Sequence, residues 1–365
     1  MSNIIDYLEW RGDIPFSAAG FNEIDNLILS VISYIDFSDI VPSSPRDGSV
    51  TLAEADRIIH AKHENRQSLG LIISDITWEL ERKAAKSVRF SDIKLSHYVD
   101  RIDEELEMQF SAITFELPDR SLFIAFRGTD DTLVGWKENF NMSFSSPVPA
   151  QVCASDYLQD TAAMHHRKPI RLGGHSKGGN LAVWAAVNCT DRIKRQIIAA
   201  YNNDGPGFES SITDREEYRK ISDRIITFVP ESSVVGMLLE HSESYTIVKS
   251  TQTALMQHDP FSWELIADHF ICARNLSNFS VRTDKTLTDW ISSMSADERR
   301  ELTDLVFGVM ESTGAKTLSD LNGVKLKTLG ALVHSLNVSD KKNKDNILKL
   351  LQSIFEFDRL FQWKQ

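Results

Sequence analysis

The run from Pro169 to Asn180 constrains this chain more than any other stretch. It holds Gly174-His175-Ser176-Lys177-Gly178, a serine with glycines two residues away on either side, in the spacing G-x-S-x-G. The spacing has a mechanical reason. A serine at the tip of a sharp strand-to-helix turn sits in a strained backbone conformation, and flanking glycines remove the Cβ clashes that would forbid it. The flanks agree with this. Ile170 to Gly173 is a short apolar run suited to a buried strand, and Asn180 to Val187 reads as a helix with small residues where it must pack closely on a sheet. The serine is then a nucleophile displayed at the turn. The alternative is a glycine-rich turn around a buried serine.

A second segment supports the first. Ser121 to Phe126 is an apolar, β-prone run that ends abruptly in Arg127-Gly128-Thr129-Asp130-Asp131. In acyl-transfer hydrolases two backbone N–H groups hold the oxyanion, one from the residue after the nucleophile and one from a loop after an earlier strand. Lys177 supplies the first candidate and Thr129 the second, with the Thr129 hydroxyl as a further donor.

Composition excludes several classes. The 365 residues carry 40 basic and 52 acidic side chains, a net charge of −12, which argues against nucleic acid or an anionic bilayer as the main partner. The first residues lack a basic segment before an apolar core, so no secretion signal is expected there. No stretch approaches the roughly 18 consecutive apolar residues of a membrane span. Cys153, Cys189 and Cys272 are too widely spaced for a disulfide framework or a zinc pattern, and read as buried small hydrophobes in a reducing cytoplasm.

Along the chain, residues 19 to 37 read as an amphipathic helix with Phe21, Ile24, Leu27, Ile28 and Val31 on one face. Thr51-Leu52-Ala53-Glu54 opens a further helix by a capping box, and helical patterns continue to about Lys86. Glu107 to Phe115 and Ser121 to Phe126 are expected to pair as a hairpin through Leu117-Pro118-Asp119-Arg120. A helix around Ala154 to His165, the serine turn, and strands at Gln196 to Tyr201, Arg224 to Val229 and Tyr245 to Lys249 follow. This alternation implies an α/β protein with a mostly parallel central sheet covered on both faces. From about residue 284 the texture becomes helical, starting with a capping box at Ser295-Ala296-Asp297-Glu298 and ending in an apolar helix over 347–361. That last helix is expected to bury its stripe on the main body or on a second copy; the sharper readings are a lid over the serine or a helix on a membrane surface. The resulting division is a mostly helical segment over 1–90, a catalytic core over 91–283 and a helical region over 284–365.

Phe126-Arg127-Gly128-Thr129 followed by Gly174-His175-Ser176-x-Gly178-Gly179 resembles the class 3 (fungal-type) lipases. More closely, the chain resembles the DUF2974 group of bacterial α/β-hydrolase-like proteins. That resemblance rests on Tyr7-Leu8-Glu9-Trp10-Arg11-Gly12-Asp13, Asn22 to Ile28, Gln109-Phe110-Ser111-Ala112, Gly135-Trp136-Lys137-Glu138, Asn203-Asp204-Gly205-Pro206-Gly207-Phe208 and Gln257-His258-Asp259-Pro260-Phe261-Ser262-Trp263. It implies an α/β-hydrolase fold and a hydrolase, and supplies no substrate.

A nucleophilic serine needs a base and an orienting carboxylate, which in this fold follow in the order Ser, Asp/Glu, His. His241, His258, His269 and His334 lie after the serine. His258, in a loop after the strand near Tyr245 to Lys249 and within the group's Gln-His-Asp-Pro segment, is the base; His269, expected on a helix, ranks second. His175 points away from the serine and has no proton-transfer role. Class 3 lipases carry the acid in a segment resembling Asp-x-Val-Pro, where this chain has a serine after Val229-Pro230-Glu231. Asp204, at the end of the strand after the nucleophile strand, and Glu231 are the two substitutes.

These residues describe a cytoplasmic serine hydrolase, esterase or lipase-like, acting on a small acyl substrate without metal or organic cofactor. A non-catalytic α/β-hydrolase-fold protein that binds a lipid-like ligand or a protein partner is the rival, and a thioesterase or peptidase the alternative within the enzymes. Transient membrane-surface contact and a homo-oligomer through the C-terminal helices are compatible with the pattern.

Overall fold

Strand β4 (Leu122–Phe126) shows how the molecule is layered. All five of its residues are buried, yet they alternate: Leu122, Ile124 and Phe126 join one hydrophobic core, Phe123 and Ala125 another. Side chains of a strand point to opposite faces with period two, so a strand that is apolar throughout requires a cover on each side. The computed structural model describes residues 2–44, 46–62, 69, 74–283 and 293–321.

The sheet has eight strands in sequential order: β1 (Val50–Thr51), β2 (Lys94–Asp103), β3 (Met108–Glu116), β4, β5 (Ile170–His175), β6 (Ile197–Asn203), β7 (Ile225–Pro230) and β8 (Tyr245–Val248). The first four pair antiparallel and β4 through β8 pair parallel. A two-stranded ribbon of β9 (Leu265–Ile266) and β10 (His269–Phe270) stands apart. Helices α1 (Ile4–Arg11), α2 (Glu23–Ile32), α3 (Leu52–Lys62) and α4 (Ile76–Lys86) cover one face with Ile24, Leu27, Ile28 and Val31 of α2 in the core. On the other face lie α5 (Leu133–Asn141), α6 (Pro149–Met164), α7 (Lys177–Asn188), α8 (Asp191–Lys194), α9 (Ser210–Thr213) and α10 (Glu216–Arg219), with α6 and α7 contributing most of the helical residues of the second core. The chain has the α/β-hydrolase fold: a mostly parallel sheet between helical layers, with helices added at both ends.

Sequential strand order explains why the N-terminal helices are needed. The crossovers between β4 and β7 place their apolar residues in one core, so the other face depends on α1 to α4 and on residues after β8 such as Trp263 and Phe270. A buried ion pair fixes the helices there. Arg89, fully buried, binds both carboxylate oxygens of Asp25 and the carbonyls of Ile14, Ala19 and Gly20. Asp25 also closes the capping box of α2 with Asn22.

Several elements differ from the sequence reading. The helix expected over 19 to 37 runs only from Glu23 to Ile32, because Asn22 caps its start and Ser33 its end. Strand β2 and helix α5 went unforeseen; Thr132 caps α5 by accepting from the Gly135 amide at 3.1 Å. Of the cysteines, Cys189 is buried, Cys153 half-buried and Cys272 exposed, so the expectation of three buried thiols fails at Cys272. It forms an isolated β-bridge with Val248 of β8, the strand at the sheet's edge.

Near the C-terminus, α11 (Ala296–Glu311) opens with the capping box at Ser295 and Glu298 and packs on α5, with Phe307 against Phe140 at 5.5 Å and Asp304 paired with Lys137 at 2.9 Å. The chain beyond it bridges Thr317 to Thr132, and Leu318 donates its amide to the Asp131 carbonyl at 2.8 Å. The helix expected over 347–361 lies outside the described residues. Among the described residues no helix is long and apolar enough to cross a membrane.

Candidate active site

Ser176 occupies the sharp turn between β5 and α7 with φ 58° and ψ −133°, a conformation that costs a non-glycine residue about 1–3 kcal/mol. The two glycines make room for that turn. A Cβ on Gly174 would stand 2.2 Å from the Gly178 carbonyl carbon, and one on Gly178 would stand 2.0 Å from the Phe126 carbonyl oxygen. The Ser176 amide donates to the Asn203 carbonyl at 3.0 Å, which ties the turn to the end of β6.

Residue Asp204 follows immediately. Its Oδ2 lies 2.6 Å from His258 Nδ1, and its Oδ1 accepts the Ser233 hydroxyl at 2.5 Å. Asp204 is fully buried and holds φ at 54°. Turn-making falls to Asn202, just before Asn203-Asp204-Gly205-Pro206-Gly207: its Oδ1 accepts the Gly205 amide at 2.8 Å, leaving the Asp204 carboxylate to face the histidine. Glu231, the other acid considered, lies in the loop after β7, and among the described residues it makes no contact with a histidine. Its amide donates to Val248 and its carbonyl accepts from Ser277.

His258 ends a short 3-10 turn, Ala254–His258, and is 6% exposed. With Nδ1 engaged by Asp204, Nε2 is its remaining ring nitrogen. Its ring lies 4.5 Å from that of His175, the residue before the serine. The contacts of His175 show where its ring is held. Its Nε2 lies 2.8 Å from the His258 carbonyl oxygen, and its Nδ1 lies 3.2 Å from the Tyr34 hydroxyl. A carbonyl can only accept, so Nε2 carries the hydrogen, and Nδ1 accepts from Tyr34. Burial, with His258 beside it, pushes the His175 pKa well below 6.5 and keeps this tautomer neutral.

The remaining histidines separate clearly. His269 lies on β10, not on a helix, with its side chain exposed beside Asp268, because the chain turns there into the β9–β10 ribbon. His241 is buried between Glu243 and the Gly236 carbonyl. His334 lies outside the described residues.

Thr129 sits past the end of β4, 5% exposed, with its Oγ1 accepting from Asn139 Nδ2 at 2.6 Å. Lys177 begins α7, and its side chain turns inward. Nζ donates to Gln109 Oε1 at 2.6 Å, to the Gln109 carbonyl at 2.7 Å and to Glu138 Oε2 at 2.9 Å, with both charged groups essentially unexposed. The loop between is held by Arg127. Burial opposes its charge, but Asp100 and Asp130 outweigh that and raise its pKa further.

Sequence reasoning missed Tyr34 and Asn26. Asn26 Nδ2 donates to Asn203 Oδ1 at 2.8 Å, and Asn203 Nδ2 donates to the Gly174 carbonyl at 3.0 Å, so α2 braces the turn. Asn26 stands on the side of α2 away from Ile24, Leu27, Ile28 and Val31, and Tyr34 follows the end of that helix, so neither left a periodic signal in the sequence. Among the described residues Asp56, His60 and Glu81 could hold a metal ion, their ligand atoms lying within 4.8 Å of one another. They belong to α3 and α4, and His60 Nε2 already pairs with Asp56 at 2.8 Å.

The model of the Mbeg1-like family matches residues 84–308. The chain belongs to the Mbeg1-like family. This is the DUF2974 family that the sequence resembles, and the match spans β2 through β10 and most of α11, including every element that carries the serine, Asp204 and His258. No curated protein matches the chain. Among solved structures it is similar to the Rhizomucor miehei lipase propeptide complex (14% identity, 57% of this chain and 68% of that chain, TM-score 0.35) and to lipase II from Rhizopus niveus (12% identity, 62% and 77%, TM-score 0.34). A fungal lipase–inhibitor complex is similar at 13% identity over 77% of this chain and 96% of that one, with a TM-score of 0.37.

Proposed function

We propose that this member of the family is a serine hydrolase that transfers acyl groups from carboxylic esters to water. The observation that carries the reading is the 2.6 Å contact between His258 and the buried Asp204, beside a serine held at a strained turn. Ser176 attacks the carbonyl carbon while His258 Nε2 takes its proton. The imidazolium so formed is stabilised by Asp204 through Nδ1–H, and the carboxylate stays ionised. The carbonyl oxygen becomes an oxyanion held by the amides of Thr129 and Lys177. His258 returns the proton to the leaving alcohol; water, giving a proton to His258, then attacks the acyl carbon, the bond to Ser176 Oγ breaks, that oxygen takes the proton back and the carboxylic acid leaves. The substrate is a small acyl compound and the site needs no metal or cofactor.

The acidic composition and three cysteines without a disulfide pattern support a cytoplasmic home. The residues divide, on this reading, into a bracing segment over 1–90, the catalytic core over 91–283 and a helical region over 284–365 that touches the loop following Thr129.

Intact-mass labelling with a fluorophosphonate tests the proposal. One label per chain, absent in Ser176→Ala, supports it. Folded wild-type protein that takes no label and hydrolyses no short p-nitrophenyl ester refutes it in favour of a binding role.

A further inference from the structure

At the end of the sheet opposite Ser176, where β5 and β6 begin, an open cleft of about 580 Å³ is lined by Arg167, Pro169, Arg192, Arg195, Gln196 and Ile198. Half of its lining is arginine, in a chain whose net charge is −12. The six residues of β5 set this cleft roughly 17 Å from the serine turn.

The neighbouring cations are matched: Lys168 with Glu116 at 2.8 Å, Arg171 with Asp119 at 3.3 Å, Lys220 with Glu216 at 3.2 Å and Arg224 with Asp223 at 3.5 Å. Arg167, Arg192 and Arg195 pair with no carboxylate among the described residues. Arg192 Nη2 instead faces His166 Nδ1 at 3.2 Å, a contact in which the ring nitrogen accepts. Gln196 donates from Nε2 to the Lys168 carbonyl at 3.3 Å, which fastens the turn carrying Arg167 to the start of β6. Three guanidiniums gathered around one cleft repel one another, and an anion between them removes that repulsion.

We propose that this cleft is an anion site that binds a phosphate-bearing ligand, with Arg167, Arg192 and Arg195 as its donors. Planar guanidiniums present paired N–H donors that match phosphate oxygens two at a time, which a lone lysine does not. Pro169 and Ile198, the latter 44% exposed, give the cleft an apolar side for the rest of the ligand. The phosphate belongs either to a soluble ester or to a lipid headgroup. The site is separate from the acyl-transfer centre, so its existence is independent of that reading.

The full chain is titrated calorimetrically with inorganic phosphate at constant ionic strength, beside Arg192→Gln/Arg195→Gln and the control Arg57→Gln on α3. Saturable binding of one phosphate, weakened roughly tenfold or more in the double variant and unchanged in the control, supports the site. Thermal melting verifies that these surface substitutions leave the fold intact. No saturable binding, or an equal loss in Arg57→Gln, overturns it. Cosedimentation with phosphatidylcholine vesicles, with and without phosphatidic acid, then assigns the source. Capture only by the phosphatidic acid vesicles, lost in the double variant, names a headgroup; phosphate binding without vesicle capture names a soluble ester.

Discussion

Ser233 donates its hydroxyl hydrogen to Asp204 Oδ1 across 2.5 Å, so a serine from the loop after β7 holds a carboxylate from the end of β6. Class 3 lipases, which this chain resembles, carry their acid in that later loop. Here the loop contributes the hydrogen bond and the earlier strand contributes the charge. Ser233 Oγ also accepts the Gly236 amide at 3.0 Å, which orients the hydroxyl toward Asp204.

Replacing Asp204 by Asn should remove the partner that selects the His258 tautomer while leaving shape nearly unchanged. Fluorophosphonate labelling should slow by about 10⁴-fold, the cost of that change in serine triads. Glu231→Gln should label at the wild-type rate. Equal loss in both variants, or loss only in Glu231→Gln, would move the acid to the loop after β7.

Ser233→Ala leaves one oxygen of a buried carboxylate without its donor. Such a loss costs about 1–3 kcal/mol. The melting temperature should fall, and labelling should slow by much less than in Asp204→Asn, because the 2.6 Å contact with His258 remains. A full loss of labelling in a folded protein would contradict this account.

His175 holds the backbone carbonyl of His258, and Tyr34 holds His175 in turn. His175→Phe keeps an aromatic ring but removes the donor to the His258 carbonyl. Its labelling rate should drop, while Tyr34→Phe, which removes only the outer hydroxyl, should drop less. The pH dependence separates positioning from mere stability: loss of this brace should shift the labelling profile, whereas a destabilised but otherwise normal site would retain it.

Lys177→Met removes the cation from a buried pair and leaves Glu138 charged in the interior. Breaking one side of such a pair costs about 3–5 kcal/mol. The double variant Lys177→Met/Glu138→Gln removes both charges yet keeps an acceptor near the Gln109 and Ala150 amides that Glu138 binds, and should recover much of the stability. Urea denaturation measures all three proteins, and a double variant no more stable than Lys177→Met would refute the reading.

Acid stability is expected to pass through Glu243. Burial opposes its ionisation, but His241, Thr227 and Tyr218 around it win and depress its pKa from 4.5 to about 2. A carboxylate depressed in the fold contributes stability that is fully present above its unfolded value and lost as pH falls through the folded one. The affected window therefore runs from about 4.5 down to about 2, with roughly 3 kcal/mol at stake. Glu243→Gln should flatten that part of the stability curve; an unchanged slope would show that the carboxylate is not depressed.

Much of the site was legible because its local chemistry is written in short segments. The elbow needs its two glycines within five residues, and the strands before and after it show as apolar runs. Glu231 and Asp204 were both admissible because each follows a strand end, and the distance between a carboxylate and a histidine 54 residues apart is not a local property. Helix α5 escaped notice because its capping threonine follows directly on a loop rich in Asp. His269 was read as helical because the two-residue strands of the β9–β10 ribbon are too short to show a period.

The sequence by itself determined the strained serine turn, the alternating strands and helices, and the apolar faces that demand a two-sided cover, since each follows from residues near one another in the chain. Only the tertiary structure decided which carboxylate meets His258, where the Lys177 side chain goes, and that α2 braces the turn through Asn26 and Asn203. Those choices depend on which distant segments share a buried space. Inside that space every charge and hydrogen-bond donor must find a partner, and pairing across tens or hundreds of residues leaves no periodic mark in the chain.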